Sequence, residues 1–301
     1  MAVAWLFPGQ GSQSVGMAHA WCEHSSVARA ALDEAAQLLG FDLPALMFQG
    51  PAKELADTHN QQPALLAASI AILRAAKDRL PAPDFVAGHS LGEYSALVAA
   101  EAIDYSDALL LVRERGRLMK LAGERQPGRM AAILGLADEA VQEVCASIDG
   151  AQVANFNAPG QVVISGSIEA IDEAVEQLRE AGAKRAIVLP ITIAAHSRLM
   201  ESVAEEFATR VAEAEIREAS VPVIANLSAT PISSAADIRA ELTGQLTGSV
   251  RWTAGVDAMQ QAGVDEWYEI GSGKVLGGLV KRIARDRGVE AQIHSFETPD
   301  S

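Results

Sequence analysis

The residues of this sequence best suited to chemistry lie in a single Gly-x-Ser-x-Gly motif, Gly88-His89-Ser90-Leu91-Gly92. An apolar run typical of a strand precedes it and an apolar helical pattern follows it, which is the setting of a nucleophile elbow. Such a turn presents the serine at a helix N-terminus, where amides and partial positive charge stabilise an oxyanion. The pattern predicts Ser90 as a nucleophile and the Leu91 amide as an oxyanion donor. A plain strand-to-helix turn with a capping serine is the alternative.

A serine nucleophile needs a base, and histidine most often fills that role. His89 adjoins the serine, and neighbouring residues in such a turn tend to point apart. His196 follows the apolar run 187–193 and precedes a helical pattern that begins near Leu199. It therefore lies on a loop at a strand end, where catalytic groups of α/β sheets collect. We expect His196 to be the base, and a surface or helix-capping histidine is the alternative.

One arginine interrupts an apolar helix face. At helical spacing, Arg115 shares a face with Ala108, Val112 and Met119. A buried guanidinium must be paired, because an uncompensated charge in the protein interior is very costly. Either an internal carboxylate pairs it, or it awaits a carboxylate ligand, for which its planar fork is well suited.

Composition narrows the class of protein. Of 301 residues, 49% are hydrophobic and 21% charged, which is typical of a folded chain. A net charge of −15 with 5% aromatic residues disfavours nucleic-acid binding. The two cysteines, Cys22 and Cys145, are too few for a disulfide framework or a cysteine-rich zinc site, and they fit a reducing cytoplasm. The N-terminus has no basic residue and the apolar stretch Pro63–Leu73 is too short to span a bilayer, so we expect neither export signal nor membrane contact.

Short apolar runs alternate with helical patterns along most of the chain, which predicts an α/β protein with a mostly parallel sheet. The predicted strands are Val3–Phe7, Phe85–Gly88, Val221–Ile224 and Trp267–Ile270, and the predicted helices are Val27–Leu39, Pro63–Arg79, Gly92–Glu101, Tyr105–Leu121 and Val275–Arg287.

In the middle of the chain the order of predicted elements changes to β-α-β-β-α-β, which is typical of a ferredoxin-like fold. Its predicted elements are Met130–Leu136, Asp138–Ile148, Gln152–Phe156, Gln161–Ser165, Ile168–Ala181 and Ala186–Leu189. We therefore expect a large α/β domain formed by residues 1–124 and 192–301, with a small ferredoxin-like domain inserted at 125–191. Gly123–Gly128 is the expected linker into the insertion.

Several longer motifs, taken in order, make the sequence resemble the malonyl-CoA:acyl carrier protein transacylases and the acyltransferase domains of polyketide synthases. The resemblance covers nearly the whole chain. Its motifs are Phe7-Pro8-Gly9-Gln10-Gly11-Ser12-Gln13, Gln62-Pro63-Ala64-Leu65-Leu66, Gly88 to Leu97, Arg115-Gly116-Arg117, Asn155 to Gln161, His196 and Gly273-Lys274-Val275-Leu276. The family fold, a hydrolase-like α/β domain with an inserted ferredoxin-like domain, agrees with the element order.

The resemblance implies a role for each site residue. Ser90 would be acylated, with His196 as its base. Gln10 and the Leu91 amide would form the oxyanion hole, and Arg115 would bind the malonyl carboxylate. Three further residues with implied roles are Gln62 and Asn157, which would contact substrate, and Gln245, whose backbone carbonyl would orient the histidine.

Three departures from the family pattern stand near these positions. Thr247-Gly248-Ser249 replaces Tyr-Asn-Pro, Ser272 replaces a proline, and Ser197-Arg198 follows the histidine. The first bears on the assignment of Gln245. Arg198 could alter the entrance to the site.

The implied reaction transfers a malonyl group from malonyl-CoA to the phosphopantetheine thiol of acyl carrier protein, through a malonyl-serine. Neither a metal nor a bound cofactor is expected, and we expect a cytoplasmic monomer serving fatty acid synthesis. A stand-alone polyketide acyltransferase or a malonyl transfer subunit of malonate decarboxylase would share the half-reaction. A serine esterase would have little use for Arg115, and a non-catalytic carrier-protein docking module would have little use for Ser90 or His196.

Overall fold

The fold is built on two separate β-sheets, as seen in a computed structural model that describes residues 2–300. The strands of the described part are β1 Ala2–Phe7, β2 Phe85–Gly88, β3 Gly128–Leu134, β4 Ala151–Ala158, β5 Gln161–Ser167, β6 Arg185–Val188, β7 Val223–Ile224, β8 Pro231–Ile232, β9 Val264–Glu269 and β10 Gln292–Ser295. The α-helices are α1 His19–His24, α2 Ser26–Leu39, α3 Leu43–Gln49, α4 Ala52–Leu55, α5 Thr58–Ala76, α6 Gly92–Ala99, α7 Tyr105–Arg125, α8 Asp138–Ser147, α9 Ile168–Glu180, α10 Glu201–Glu213, α11 Ala235–Gly244, α12 Trp252–Gln261 and α13 Val275–Arg287.

The larger sheet has the strand order β10-β9-β1-β2-β7-β8. All neighbours in it are parallel except the short edge strand β8, which runs antiparallel to β7. Helices cover both faces, so the central strands are almost wholly apolar, as β1 with its sequence Ala-Val-Ala-Trp-Leu-Phe illustrates. Parallel strands bring their carboxyl ends to one edge, and the β2–α6 turn lies there.

The smaller sheet is antiparallel, with the order β4-β5-β3-β6. Helices α8 and α9 pack on one face of it around a core of their own. This is the β-α-β-β-α-β arrangement that the sequence predicted. The chain leaves and re-enters the larger part at adjacent points, where Gly128 N donates to Thr192 O at 2.9 Å. We call this contact the neck.

Several predicted elements are confirmed with their bounds, notably β2 and α13. The expected linker at 123–128 is wrong in its extent, because α7 continues to Arg125 and β3 begins at Gly128. The helix predicted from Pro63 begins one and a half turns earlier, at Thr58, with the Asp57 side chain accepting from His59 N. The domain limits 125–191 remain a prediction.

The longest apolar stretch lies within α5, and most of that helix is buried in the core. Across residues 2–300, no helix is both long and apolar enough to cross a membrane.

Candidate active site

Ser90 lies in a tight turn between β2 and α6, with a positive φ of 51°. A non-glycine residue adopts this conformation only when its surroundings impose it. Two glycines make the close approach possible. A Cβ on Gly88 would lie 1.9 Å from the Gly92 carbonyl carbon, and a Cβ on Gly92 would lie 2.0 Å from Phe7 O. The predicted elbow is therefore present. At both Gly88 and Gly92, a side chain would collide with neighbouring backbone atoms, which explains why the motif needs glycine there.

Asn226, which no sequence pattern predicted as a site residue, binds this turn from the loop after the neighbouring strand. It follows β7, and its Oδ1 accepts from Ser90 N at 2.7 Å while its Nδ2 donates to Gly88 O at 2.8 Å. Its own backbone N donates to the Glu93 carboxyl group at 3.0 Å. The only available signal was a polar residue just after an apolar strand in a parallel sheet.

His196 reaches Ser90 across the carboxyl edge of the sheet. Ser90 Oγ lies 2.7 Å from His196 Nε2. On the other side of the ring, Nδ1 lies 2.9 Å from Gln245 O and 3.0 Å from Gly248 O. Carbonyl oxygens only accept, so Nδ1 carries the proton and Nε2 is free to accept one from Ser90. The Gln245 carbonyl lies where the resemblance implies. Gly248, which belongs to the Thr-Gly-Ser segment that differs from the family pattern, supplies a second acceptor.

The imidazole is in a site that disfavours its charged form. His196 is 4% exposed, and burial, reinforced by the positive charge of Arg115, lowers its pKa from 6.5 to about 3. A neutral imidazole is the form that takes a proton from serine.

Arg115 lies next to Ser90 and is 0% exposed. Its Nη1 donates to Gln62 Oε1 at 2.9 Å, and its Nη2 donates to Gln245 Oε1 at 3.0 Å and to Ser90 Oγ at 3.2 Å. All of these acceptors are neutral. Within residues 2–300 no carboxylate lies at ion-pair distance from it. The alternative of a direct internal carboxylate partner is therefore wrong.

The Gln245 side chain is also engaged, although the resemblance assigned a role only to its carbonyl. Its Oε1 accepts from Arg115, while its Nε2 donates to Ser90 O at 3.1 Å and to the Glu93 carboxyl group. Glu93 is fully buried, and burial together with the nearby Glu241 raises its pKa. The Gln245 amide thus joins Arg115 to Glu93, the buried acid of the helix that follows the elbow.

A cavity of about 790 Å³ opens onto Ser90. Its lining includes Gln10, His89, Ser90, Asn157 and His196. The predicted contact residues Gln62 and Asn157 differ in position. Gln62 is buried behind the cavity against Arg115, whereas Asn157 lies on the cavity wall, where its Oδ1 accepts from His89 Nε2 at 2.7 Å.

Of the two predicted oxyanion donors, Leu91 directly follows Ser90 in the chain, and Gln10 lines the same cavity as Ser90. The Leu91 amide immediately precedes α6. The Gln10 side chain is turned toward α5, where its Nε2 donates to Gln61 Oε1 at 2.6 Å and to Thr58 Oγ1 at 3.1 Å. Any donation by Gln10 to an oxyanion therefore falls to its backbone amide rather than to this carboxamide.

Arg198 does not line this cavity. It lines a second groove on the other side of the His196 loop, together with Gln152 and Arg251. The expectation that Arg198 could alter the entrance to the site is therefore not met. The described residues contain no cluster of three or more His, Cys, Asp or Glu side chains that could hold a metal ion.

A strained serine, a neutral histidine held by carbonyls and an adjacent buried guanidinium define a site for acyl transfer through a serine ester. The chain belongs to the acyl transferase domain family, whose model matches residues 4–267.

Curated relatives within this family cover nearly the whole chain. The malonyl CoA-acyl carrier protein transacylase of Bacillus subtilis (strain 168) is 46% identical over 287 residues, which are 94% of this chain and 90% of that protein. The protein of the same name from Escherichia coli (strain K12) is 44% identical over 284 residues, covering 93% and 92%.

Solved structures agree with this assignment. An acyl carrier protein S-malonyltransferase from Vibrio cholerae superposes with a TM-score of 0.95 at 42% identity, covering 100% of this chain and 98% of that one. A malonyl-transacylase in complex with a type II PKS acyl-carrier protein gives a TM-score of 0.95 at 40% identity, with coverage of 100% and 97%.

Proposed function

We propose that this protein transfers malonyl groups from malonyl-CoA to acyl carrier protein through a malonyl ester on Ser90. His196 Nε2 takes the hydroxyl proton as Ser90 Oγ attacks the thioester carbonyl. The carbon–sulfur bond then breaks, and the CoA thiolate leaves with the proton from His196. The phosphopantetheine thiol of the carrier protein reverses these steps on the malonyl-serine, with His196 again as base and then acid.

The oxyanion of both tetrahedral intermediates would be bound by the backbone amides of Leu91 and Gln10. The first is placed by the N-terminus of α6, whose partial positive charge favours the anion. No metal or bound cofactor takes part in this scheme.

The observation that carries the proposal is the environment of Arg115. A fully buried guanidinium, 3.2 Å from Ser90 Oγ and bonded only to neutral acceptors, provides charge and geometry for a carboxylate on the acyl chain of the ester. An esterase for simple acyl groups would gain nothing from this residue. Gln62 and Gln245 fix the two terminal nitrogens, so the fork is already oriented.

Fatty acid and polyketide synthesis share this half-reaction, so the pathway is a separate inference. We infer that the malonyl carrier product serves fatty acid synthesis in the cytoplasm, where the two free, buried cysteines would stay reduced. Supply of a polyketide synthase is the second candidate, favoured by the structural match to a transacylase solved with a type II PKS carrier protein.

The test is mass spectrometry of the protein after incubation with malonyl-CoA. A malonyl adduct should appear on the peptide that contains Ser90 and should be discharged by added holo acyl carrier protein. Ser90→Ala should abolish it. An adduct on another residue, or one that survives the substitution, would refute the proposal.

A further inference from the structure

Gln152 lies at the start of β4 in the smaller sheet, and its side chain bonds to the loop that carries His196. Its Nε2 donates to His196 O at 2.9 Å and to Thr247 O at 3.1 Å. Its Oε1 accepts from Arg198 N at 3.0 Å. We propose that Gln152 is a positioning residue, which fixes His196 relative to the carbonyls that orient its ring. This inference rests on the proposed function of His196 as the base.

The His196 backbone needs such support. Its φ is 58°, in the left-handed region that a residue with a side chain adopts only when its neighbours impose it. The Gln152 carboxamide binds the carbonyl of His196 itself and the amide of the residue two positions later. It therefore fixes the backbone from the carbonyl of His196 to the amide of Arg198, next to the strained φ of His196.

The same amide group binds the segment that holds Nδ1. Thr247 lies between Gln245 and Gly248, whose carbonyls accept from the ring. Strand β4 already pairs with the end of this segment, because Val250 N donates to Ala154 O at 2.8 Å and Phe156 N donates to Val250 O at 2.9 Å. Gln152 adds side-chain hydrogen bonds to this backbone pairing. Through them, the smaller sheet positions the His196 ring relative to Ser90, which lies at the edge of the larger sheet.

The main consequence is that Gln152 acts on proton transfer and not on substrate recognition. It lines the groove on the far side of the His196 loop and is absent from the lining of the cavity that opens onto Ser90. Its loss should slow every reaction that uses the Ser90–His196 pair by a similar factor. A displacement of the base by about 1 Å is enough to cost on the order of 100-fold.

The first experiment compares Gln152→Leu with wild-type protein. Leucine keeps the approximate volume and removes all three hydrogen bonds. We expect labelling of Ser90 by a fluorophosphonate, in which the oxygen–phosphorus bond forms, fluoride leaves and His196 takes the proton, to slow by about 10- to 100-fold. Malonylation should slow by the same factor, with an apparent KM for malonyl-CoA within twofold of wild type.

The matched control is Gln161→Leu. Gln161 is also half-buried, begins the adjacent strand β5, and accepts from Arg282 Nη1 at 3.2 Å, far along the sheet from His196. Its substitution should leave both rates within twofold of wild type. If Gln152→Leu labels at the wild-type rate, or if Gln161→Leu is slowed equally, the positioning role is refuted.

A second variant, Gln152→Glu, provides a readout that mere loss of packing would not move. An ionised glutamate still accepts from Arg198 N but turns an oxygen toward two carbonyls. When protonated, it donates to one of them again. The labelling rate of Gln152→Glu relative to wild type should therefore rise at least fivefold as the pH falls from 8 to 4, through the titration range of a glutamate carboxyl group at about pH 4.3, while that of Gln161→Glu stays constant. A constant ratio for Gln152→Glu would refute the proposal, and this decides the matter even if Gln152→Leu does not fold.

The two probes separate this inference from the proposed function. If wild-type protein reacts with the fluorophosphonate but is not malonylated, the proposed function fails. Slower fluorophosphonate labelling of Gln152→Leu would then still support the role of Gln152.

Discussion

At the scale of single residues, Arg115 is the residue that we propose to distinguish acyl groups with a carboxylate from those without. Its charge is surrounded by neutral hydrogen-bond acceptors and the ring of Tyr94, whose centroid lies 5.6 Å from the guanidinium carbon. A hydrogen bond between charged groups is roughly twice as strong as one between neutral groups. The site is therefore poised to gain free energy when a second charge enters.

Replacement of Arg115 should lower activity with malonyl-CoA and spare activity with acetyl-CoA, so that the preference between the two substrates changes. For Arg115→Ala we expect malonyl-CoA acylation to lose roughly 2–5 kcal/mol of recognition, or about 30- to 5000-fold in kcat/KM. Acetyl-CoA has no carboxylate and should not lose activity. Stopped-flow acylation with both thioesters measures the ratio.

The control is Arg113→Ala, on the same helix, whose guanidinium binds His59 O and Asn60 Oδ1 near the surface. It should affect the two thioesters alike. An equal fall for both substrates in Arg115→Ala would mean that the residue serves only the structure.

At the scale of elements, the elbow depends on how closely α6 approaches β1. Gly92, the first residue of α6, lies against the backbone at the end of β1, where no flexible side chain can move aside. The strain at Ser90 is thus maintained by contact between two backbones and by the hydrogen bonds of Asn226.

A methyl group at this contact should disrupt the whole element. Gly92→Ala would place its Cβ 2.0 Å from Phe7 O and 2.8 Å from Phe7 C. We expect a free energy of unfolding lowered by about 3 kcal/mol or more, and a large loss of Ser90 labelling. Urea denaturation and fluorophosphonate labelling measure the two effects.

Gly278→Ala in the first turn of α13 is the matched control, because no atom lies within 4 Å of its added Cβ. It should raise stability by about 0.5–1 kcal/mol, the usual gain for alanine over glycine in a helix. Equal stability losses in the two variants would contradict the steric explanation.

Sequence patterns predicted the parts of the site that depend on local structure. The elbow, the loop position of His196 and the apolar face around Arg115 all follow from residues within one or two turns of each other. Asn226, Gln152 and the Gln245 side chain were missed because each acts on a segment at least 44 positions away. Such contacts depend on strand order and on side-chain direction, which periodicity does not specify.

Short helices were missed for a related reason. Helices α1 and α4 span only 6 and 4 residues. Isolated helices of that length are unstable, and tertiary packing rather than local propensity makes them form. Longer elements such as α9, with a Ser167 cap and a regular apolar face, were predicted to within a residue.

At the scale of the whole molecule, the buried titratable groups of the site oppose each other in their effect on stability. Burial lowers the pKa of His196, so the unfolded chain gains a proton near pH 6.5 that the folded protein resists until about pH 3. Burial raises the pKa of Glu93 and Glu241, so these groups cost stability as pH rises above their ordinary value. Folding is thus penalised at both ends of the pH range.

The acid side of this balance is testable with His196→Gln. Stability from the neutral histidine is complete above pH 6.5 and is lost as pH falls from 6.5 toward about 3. Between pH 7 and pH 5 the wild-type protein should therefore lose about 2 kcal/mol more than the variant. Urea denaturation at several pH values measures the difference.

The exposed His24→Gln is the control and should follow the wild-type curve. If His196→Gln and wild type instead lose stability in parallel, His196 does not stay neutral in the folded protein.

Because of the neck between Gly128 and Thr192, the segment that forms the smaller sheet can be separated from the rest of the chain at one place. A segment that departs and returns at one hydrogen bond can be exchanged with the equivalent segment of a relative without re-routing the chain. Such a graft would transfer Gln152 and Asn157 together, while the host retains Ser90 and Arg115. Chimeras joined at this contact would therefore reveal which half of the cavity governs acyl preference and which governs the choice of carrier protein.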